Sequence, residues 1–221
     1  MISCWKYLAA FLLSATVLLA GGCASVYRVQ VNGYTDPAAP VAFHPGATFF
    51  VMDPQKSPNP LLDKEIKAKI HRLLESRGYV LVPFAQAEYY LFFTYGMDTT
   101  SGASAAPEYS VGVGFGFGDY CSDYSYFFWP GYVYYPRYME PLYDRWLRLK
   151  VVEAGPYRET GQLRTLWVGE SRSTGTSSDI REVINSLLVA AFSRFGQNTG
   201  KAVTVELRPQ DPRLRQLEVV R

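Results

Sequence analysis

Between Ile180 and Phe195 the apolar residues Ile180, Val183, Ile184, Leu187, Leu188, Ala191, Phe192 and Phe195 fall on one stripe at helical spacing. Asp179 and Glu182 predict a capping box at the start of this helix, and Gly196 predicts its end. A second helix is predicted from Asn59-Pro60 onward, with asparagine as the cap and proline in the first turn, where its missing N–H is harmless. Leu62, Ile66, Ile70, Leu73 and Leu74 form its apolar side, Lys64, Lys67 and His71 its polar side, and Gly78 its left-handed terminator.

Elsewhere the period is two. Tyr27, Val29 and Val31 alternate with Arg28 and Gln30, the pattern of a half-buried strand. Short apolar runs at 48–52, 79–82 and 89–95 read as further strands, the last two as an adjacent antiparallel pair across Pro83. In the segment 142–152, Tyr143, Leu147, Leu149 and Val151 oppose Asp144, Arg148 and Lys150; Gly155-Pro156 and Thr160-Gly161 then turn the chain into a strand at 163–173. Residues 202–207 alternate as a final strand, and 208–221 read as a polar tail with little to pack. Strands outnumber helices, so the expected fold class is α+β: a mainly antiparallel β-sheet with two amphipathic helices packed on one face.

The amino-terminal pattern is different in kind. Lys6 precedes an uncharged run from Tyr7 to Ala20, the layout of a secretory signal and too short for a membrane-spanning helix. The run ends in Leu18-Leu19-Ala20-Gly21-Gly22-Cys23. This resembles the lipobox of bacterial lipoproteins, with Ala20 standing where leucine is usual. The resemblance implies cleavage after residue 22, acylation of Cys23, and a mature chain of 199 residues held by several acyl chains. Ala24 stands where aspartate commonly directs inner-membrane retention, which implies the outer membrane, facing the periplasm. Ala24 and Ser25 span at most roughly 7 Å before the first strand, so the expectation is one edge of the sheet held at the bilayer.

Charge and composition narrow the partners. The mature chain carries 21 basic and 20 acidic residues with no basic cluster, which argues against nucleic acid. Of the three cysteines, Cys4 leaves with the signal and Cys23 is taken by lipid. Cys121 is then alone in an oxidising compartment, read as a buried thiol with a crosslink to another chain as the alternative. The mature chain fits a single domain, 23–207, with an insertion at about 99–141.

The succession of motifs also resembles a family of bacterial envelope lipoproteins, the domain-of-unknown-function family numbered 4136. The matching pieces are the lipid cysteine, Asn59-Pro60-Leu61-Leu62-Asp63, Arg77-Gly78-Tyr79, and the apolar strand after Ala87-Glu88. The Gly/aromatic run near Gly112, Leu166-Trp167-Val168-Gly169, and the last amphipathic helix complete the set. The segment after Gly196 is longer than that pattern. The family implies location and fold and supplies no activity to carry over.

The most unusual stretch lies inside the insertion. Residues 111–118 alternate glycine with Val or Phe, without the spacing of a dinucleotide or phosphate loop, and read as close packing against another backbone or ring. From Tyr120 to Trp146, 12 of 27 residues are aromatic. Tyr120, Tyr124, Tyr126, Phe127, Phe128, Trp129, Tyr132, Tyr134 and Tyr135 are the candidate contact surface; rings with polar tips suit proteins, sugars or lipid headgroups. The alternative is that they simply cover a sheet face. His44 and His71 have no nucleophile at a telling spacing, and Asp119, Cys121 and Asp123 lack the Cys/His content of a zinc site. Asp144 and Glu170 are conceivable paired carboxylates on the wet face of a sheet. The sequence therefore predicts a non-enzymatic interaction or structural module with no cofactor and no metal. Its partners would be the bilayer through Cys23 and an envelope protein or peptidoglycan. A glycan- or small-ligand-binding module is the alternative, and an envelope hydrolase the third reading.

Overall fold

The computed structural model describes residues 26–38, 43–54, 59–100 and 141–218. The signal segment, Cys23, Cys121 and the aromatic residues from Tyr120 to Tyr135 lie outside them. Strands β1 (Tyr27–Thr35), β2 (Thr48–Val51), β3 (Val80–Leu81), β4 (Tyr89–Thr100), β5 (Leu142–Glu153), β6 (Thr165–Gly175) and β7 (Val203–Leu207) build one sheet. Their order is β3-β2-β4-β5-β6-β1-β7. Helices α1 (Pro60–Glu75), α2 (Ala154–Thr160), α3 (Ile184–Ser193) and α4 (Pro212–Glu218) complete the described chain.

The fold is α+β, with α1 and α3 on one face of the sheet. Leu62, Ile66, Ile70 and Leu74 of α1 and Ile184, Leu187, Leu188 and Ala191 of α3 share one core with Val29, Val31, Phe49, Leu91, Phe93, Leu147, Leu149 and Trp167 from the strands. These strand residues hold alternate positions, so the period-two pattern places them all on the helix side. The Asn59 side chain accepts a hydrogen bond from the Leu62 N–H at 3.1 Å, and Pro60 opens α1. After α1 the chain turns at Gly78, whose φ of 80° is left-handed. The predicted start of the second stripe divides in two: a 3₁₀ turn at Ile180–Glu182, where Asp179 accepts from Arg181 N–H, and then α3.

Four expectations are corrected. The runs at 79–82 and 89–95 are not neighbours, because β2 lies between β3 and β4 and runs parallel to both. Helix α1 supplies the long crossover that a parallel β2–β3 pair requires, and the link after two-residue β3 carries the chain past the start of β2. The turn between β5 and β6 contains α2, with Pro156 in its first turn and Gly161 as its left-handed cap. The carboxyl tail is packed: Leu214 and Leu217 of α4 are buried in the main core. Finally, β1 is an interior strand, paired antiparallel with β6 and with β7. The amino-terminal segment thus leads into the strand next to the β7 edge and not into the edge strand itself.

Candidate functional site

Opposite α1 and α3 the sheet presents a second face. Helix α2 and the turn Phe84–Gln86 cover one end of it, packing Tyr157 and Phe84 against Tyr90. Beyond that cover the face carries a charged ladder across β4, β5, β6, β1 and β7. Arg148 meets Glu170 at 2.7 Å, Arg172 meets Asp144 at 3.3 Å, and Arg28 meets Glu206 at 3.2 Å. Such exposed and half-exposed pairs fix orientation more than they stabilise. Aromatic rings are set among them. The Lys150 ammonium lies 5.2 Å from the centre of the Phe92 ring, and Trp146 donates from Nε1 to Asp98 Oδ2 at 3.0 Å. The Trp146 ring lies against Gly96, where an added Cβ would come within 2.5 Å of it.

The strand directions gather the chain's unusual segments at one end. Strand β1 is parallel to β5 through their common antiparallel partner β6, and β4 is antiparallel to β5. The start of β1, the end of β4 and the start of β5 therefore lie together. The segment that contains Cys23 and both flanks of the 101–140 insertion meet the described fold at this end. Trp146, the last ring of the aromatic stretch, stands close by on the ladder face, while Tyr143 lies on the parity of the core.

The same end holds a residue that the sequence reading passed over. Arg145 sits on the core side of β5 and is only 5% exposed. Its Nε donates to the Ser173 carbonyl and its Nη1 to the Ser177 carbonyl, both at 3.3 Å. Burial pushes the guanidinium below its ordinary value, while the through-space fields of Glu182, Asp144 and Tyr27 act in the opposite direction. Its position was legible: counting by two from Leu149 and Leu147 reaches Arg145, so an ionic group was due at a buried site.

The remaining candidates separate. Asp144 and Glu170 are each held by an arginine. Glu170 is registered opposite Arg148, four residues from Asp144, roughly 14 Å along the strand. This exceeds the ~5–9.5 Å between the carboxyls of glycosidases. His44 stands on an exposed loop with Nε2 3.3 Å from Glu88. His71 is half-buried on α1, and desolvation with help from Lys67 holds its pKa below the usual histidine value. The nine aromatic candidates from Tyr120 to Tyr135, and Asp119, Cys121, Asp123 and Cys23, lie outside the described residues. Among the described residues no group of three His, Cys, Asp or Glu could hold a metal ion, and no helix is long and apolar enough to cross a membrane.

Comparison with solved structures finds a PDZ domain protein from Parabacteroides distasonis at 16% identity and a TM-score of 0.48. The alignment covers 88% of this chain and 42% of that one, so the chain spans less than half its length. The PelC dodecamer from Paraburkholderia phytofirmans is similar at 13% identity and a TM-score of 0.39, over 77% of this chain and 98% of that one. A DUF4136 family protein from Bacteroides thetaiotaomicron matches at 15% identity and a TM-score of 0.36, over 74% and 91%. No curated protein matches the sequence. The family model described as "Domain of unknown function (DUF4136)" matches residues 33–195, from within β1 to just past α3 and leaving β7 and α4 beyond it. That is well over half of the chain, and the protein belongs to the DUF4136 family.

Proposed function

We propose that the protein is a lipid-anchored, non-enzymatic module of the bacterial cell envelope, attached through acylated Cys23 to the outer membrane and facing the periplasm. Its Tyr-rich insertion is the contact surface for a neighbouring envelope protein. The observation that carries this reading is topological. The chain leading from Cys23 and both flanks of the insertion join the fold at the same end of the sheet, where an anchored domain faces the bilayer. A contact segment there reaches partners on or near the membrane surface.

Two measurements test it. Cys23→Ala should move the protein from the membrane fraction to the soluble one; persistent anchoring without acylation overturns the anchor. Crosslinking in cells from Tyr126 or Trp129 should capture a defined partner. That capture should be lost when Tyr126, Phe127, Phe128 and Trp129 are all serine in a folded protein. Recovery of lipid alone, or unchanged capture by the serine variant, overturns the contact surface.

A further inference from the structure

At the end of the sheet described above, the helix layer stops short of the strands. Tyr95 Oη donates to Asp63 Oδ1 at 2.8 Å, which sets the first turn of α1 beside Tyr95. Strand β4 continues five residues further, to Thr100, roughly 16–17 Å along its axis. Strand β5 accompanies it, with Leu142 registered opposite Thr100. Residues of core parity near this end are therefore only partly covered: Met97 is exposed, and Tyr27 and Tyr143 are half-buried. Val26 and Leu142 stand at the tip on the other parity, and Leu61 sits in the first turn of α1. Leu61 is 77% exposed, and Val26, Met97 and Leu142 lie between 37% and 41%.

Four separate stretches of chain thus bring large apolar side chains to one end. Tyr34, Val80, Phe84 and Leu163 are exposed towards the opposite end, so exposure alone does not distinguish the two. The tether does. Cys23 and Val26 are three residues apart, which allows at most about 11 Å between them in any arrangement. The polar layer on each side of a bilayer's hydrocarbon core is roughly 5–8 Å thick. With acyl chains on Cys23, the end that carries Val26 is the one held against the headgroups. Charge does not oppose the approach: Asp144, Asp179 and Glu206 at this end are each paired with an arginine, at 3.3, 2.9 and 3.2 Å.

We propose that this end of the folded domain is itself a membrane-contact surface. Val26, Leu61, Met97 and Leu142 enter the interfacial layer of the bilayer to which Cys23 is attached, and Tyr27 and Tyr143 lie at headgroup level. The partner is a lipid surface, and the inference rests on the anchoring of Cys23 proposed above. Valine, leucine and methionine gain by leaving water, and tyrosine suits a level where its ring is in apolar surroundings and its hydroxyl is wet. Retention comes from the acyl chains. The contact adds orientation: the sheet stands on the β1, β4 and β5 end, and its charged ladder face is presented sideways to the periplasm.

The test uses the acylated protein, purified from membranes in the Cys121→Ser background and labelled with bimane at Leu61→Cys, Leu142→Cys or Leu163→Cys. These positions are exposed, and urea unfolding checks that each variant folds. Mass spectrometry reads acylation of Cys23, and flotation reads attachment to vesicles of phosphatidylethanolamine and phosphatidylglycerol. When the vesicle lipids carry brominated acyl chains, the labels at 61 and 142 should lose emission and the label at 163, at the far end, should keep it. Full emission at 61 or at 142 in protein that is acylated and floats overturns the contact surface and leaves the anchor standing, as does equal loss at 163. A Cys23 without lipid removes the anchor, and the contact surface with it.

Discussion

Gly169→Ala should destabilise the protein severely for a change of one methyl group. Gly169 lies on the core side of β6, two residues from Trp167, whose indole folds back over it. An added Cβ would stand 2.2 Å from Cη2 and 2.5 Å from Cζ2 of that ring. Carbon atoms rest at ~3.5–4.0 Å, so the ring would have to retreat by more than about 1 Å. It has no room to do so. Trp167 is 1% exposed, its Nε1 donates to the Gln197 carbonyl at 3.1 Å, and it meets Phe195 in a T-shaped contact at a centroid distance of 4.8 Å. Overpacking of a filled core costs ~1–3 kcal/mol, and a ring clamped on three sides belongs in the upper half of that range. At 2–4 °C per kcal/mol for a chain of this size, the melting temperature should fall by about 4–12 °C. The assay is urea and thermal unfolding of wild type, Gly169→Ala, Trp167→Leu and the double variant. With the indole gone, the added methyl should cost far less, a coupling that the double-mutant cycle reads directly. Gly155→Ala is the control: it lies in α2 with no atom within 4 Å of its added Cβ, and should be neutral or stabilising by up to ~1 kcal/mol. An alanine at 169 as stable as wild type, or equally costly with and without Trp167, refutes the reasoning.

Other perturbations probe the ends of the elements. Asn59→Ala removes the cap of α1 and should cost about 1 kcal/mol in urea unfolding. Leu217→Ala opens the core beneath α4 and should cost about 2–5 kcal/mol; a surface-like change of a few tenths would mean that α4 does not seal the core. Glu88 and Thr48 exchange bonds that tie β4 to β2: the carboxylate accepts from Thr48 N–H at 2.9 Å, and Thr48 Oγ1 accepts from Glu88 N–H at 3.0 Å. The first bond, aided by His44, holds the carboxyl below the usual glutamate value. Its stabilisation is complete above pH ~4.3 and disappears as the pH falls through the lower folded value. NMR titration should place Glu88 below free glutamate, and Glu88→Gln should flatten the acid limb of the stability curve.

The alternation of Tyr27, Val29 and Val31, the hairpin of β5 and β6, and the α1 stripe were all readable because each is a local periodicity. Strand order was not. Nothing within residues 79–95 encodes that β2 will slide between β3 and β4, since parallel neighbours are brought together by a crossover and not by a turn. Helix α4 was missed for another reason. Asp211-Pro212 repeats the cap-and-proline signal recognised at Asn59-Pro60, and Asp211 does accept from Arg213 N–H at 3.0 Å. Leu214 and Leu217 follow it three apart among charged residues, too short a run to declare an apolar stripe. Arg145 was visible by parity, yet its charge hid it, because an arginine in a strand is ordinarily assigned to water. The aromatic stretch from Tyr120 to Tyr135 is visible as composition but lies outside the described residues, and no spacing within it names a partner.

The position of β1 between β6 and β7 sets an order of events during synthesis. Its partners lie at residues 167–172 and 203–207, near the other end of the chain. At ~5–20 residues per second, β7 follows β1 out of the ribosome by roughly 9–35 s. Until β6 and then β7 emerge the first strand lacks its partners, and contacts so distant in sequence form slowly even afterwards. Strand β1 therefore stays unpaired while most of the chain is made, and under the proposed anchoring this is the interval in which a peptidase and an acyltransferase would reach Cys23. Closing the sheet afterwards holds β1 between β6 and the short edge strand β7, so the first residues of the described fold end up gripped by backbone pairing on both sides.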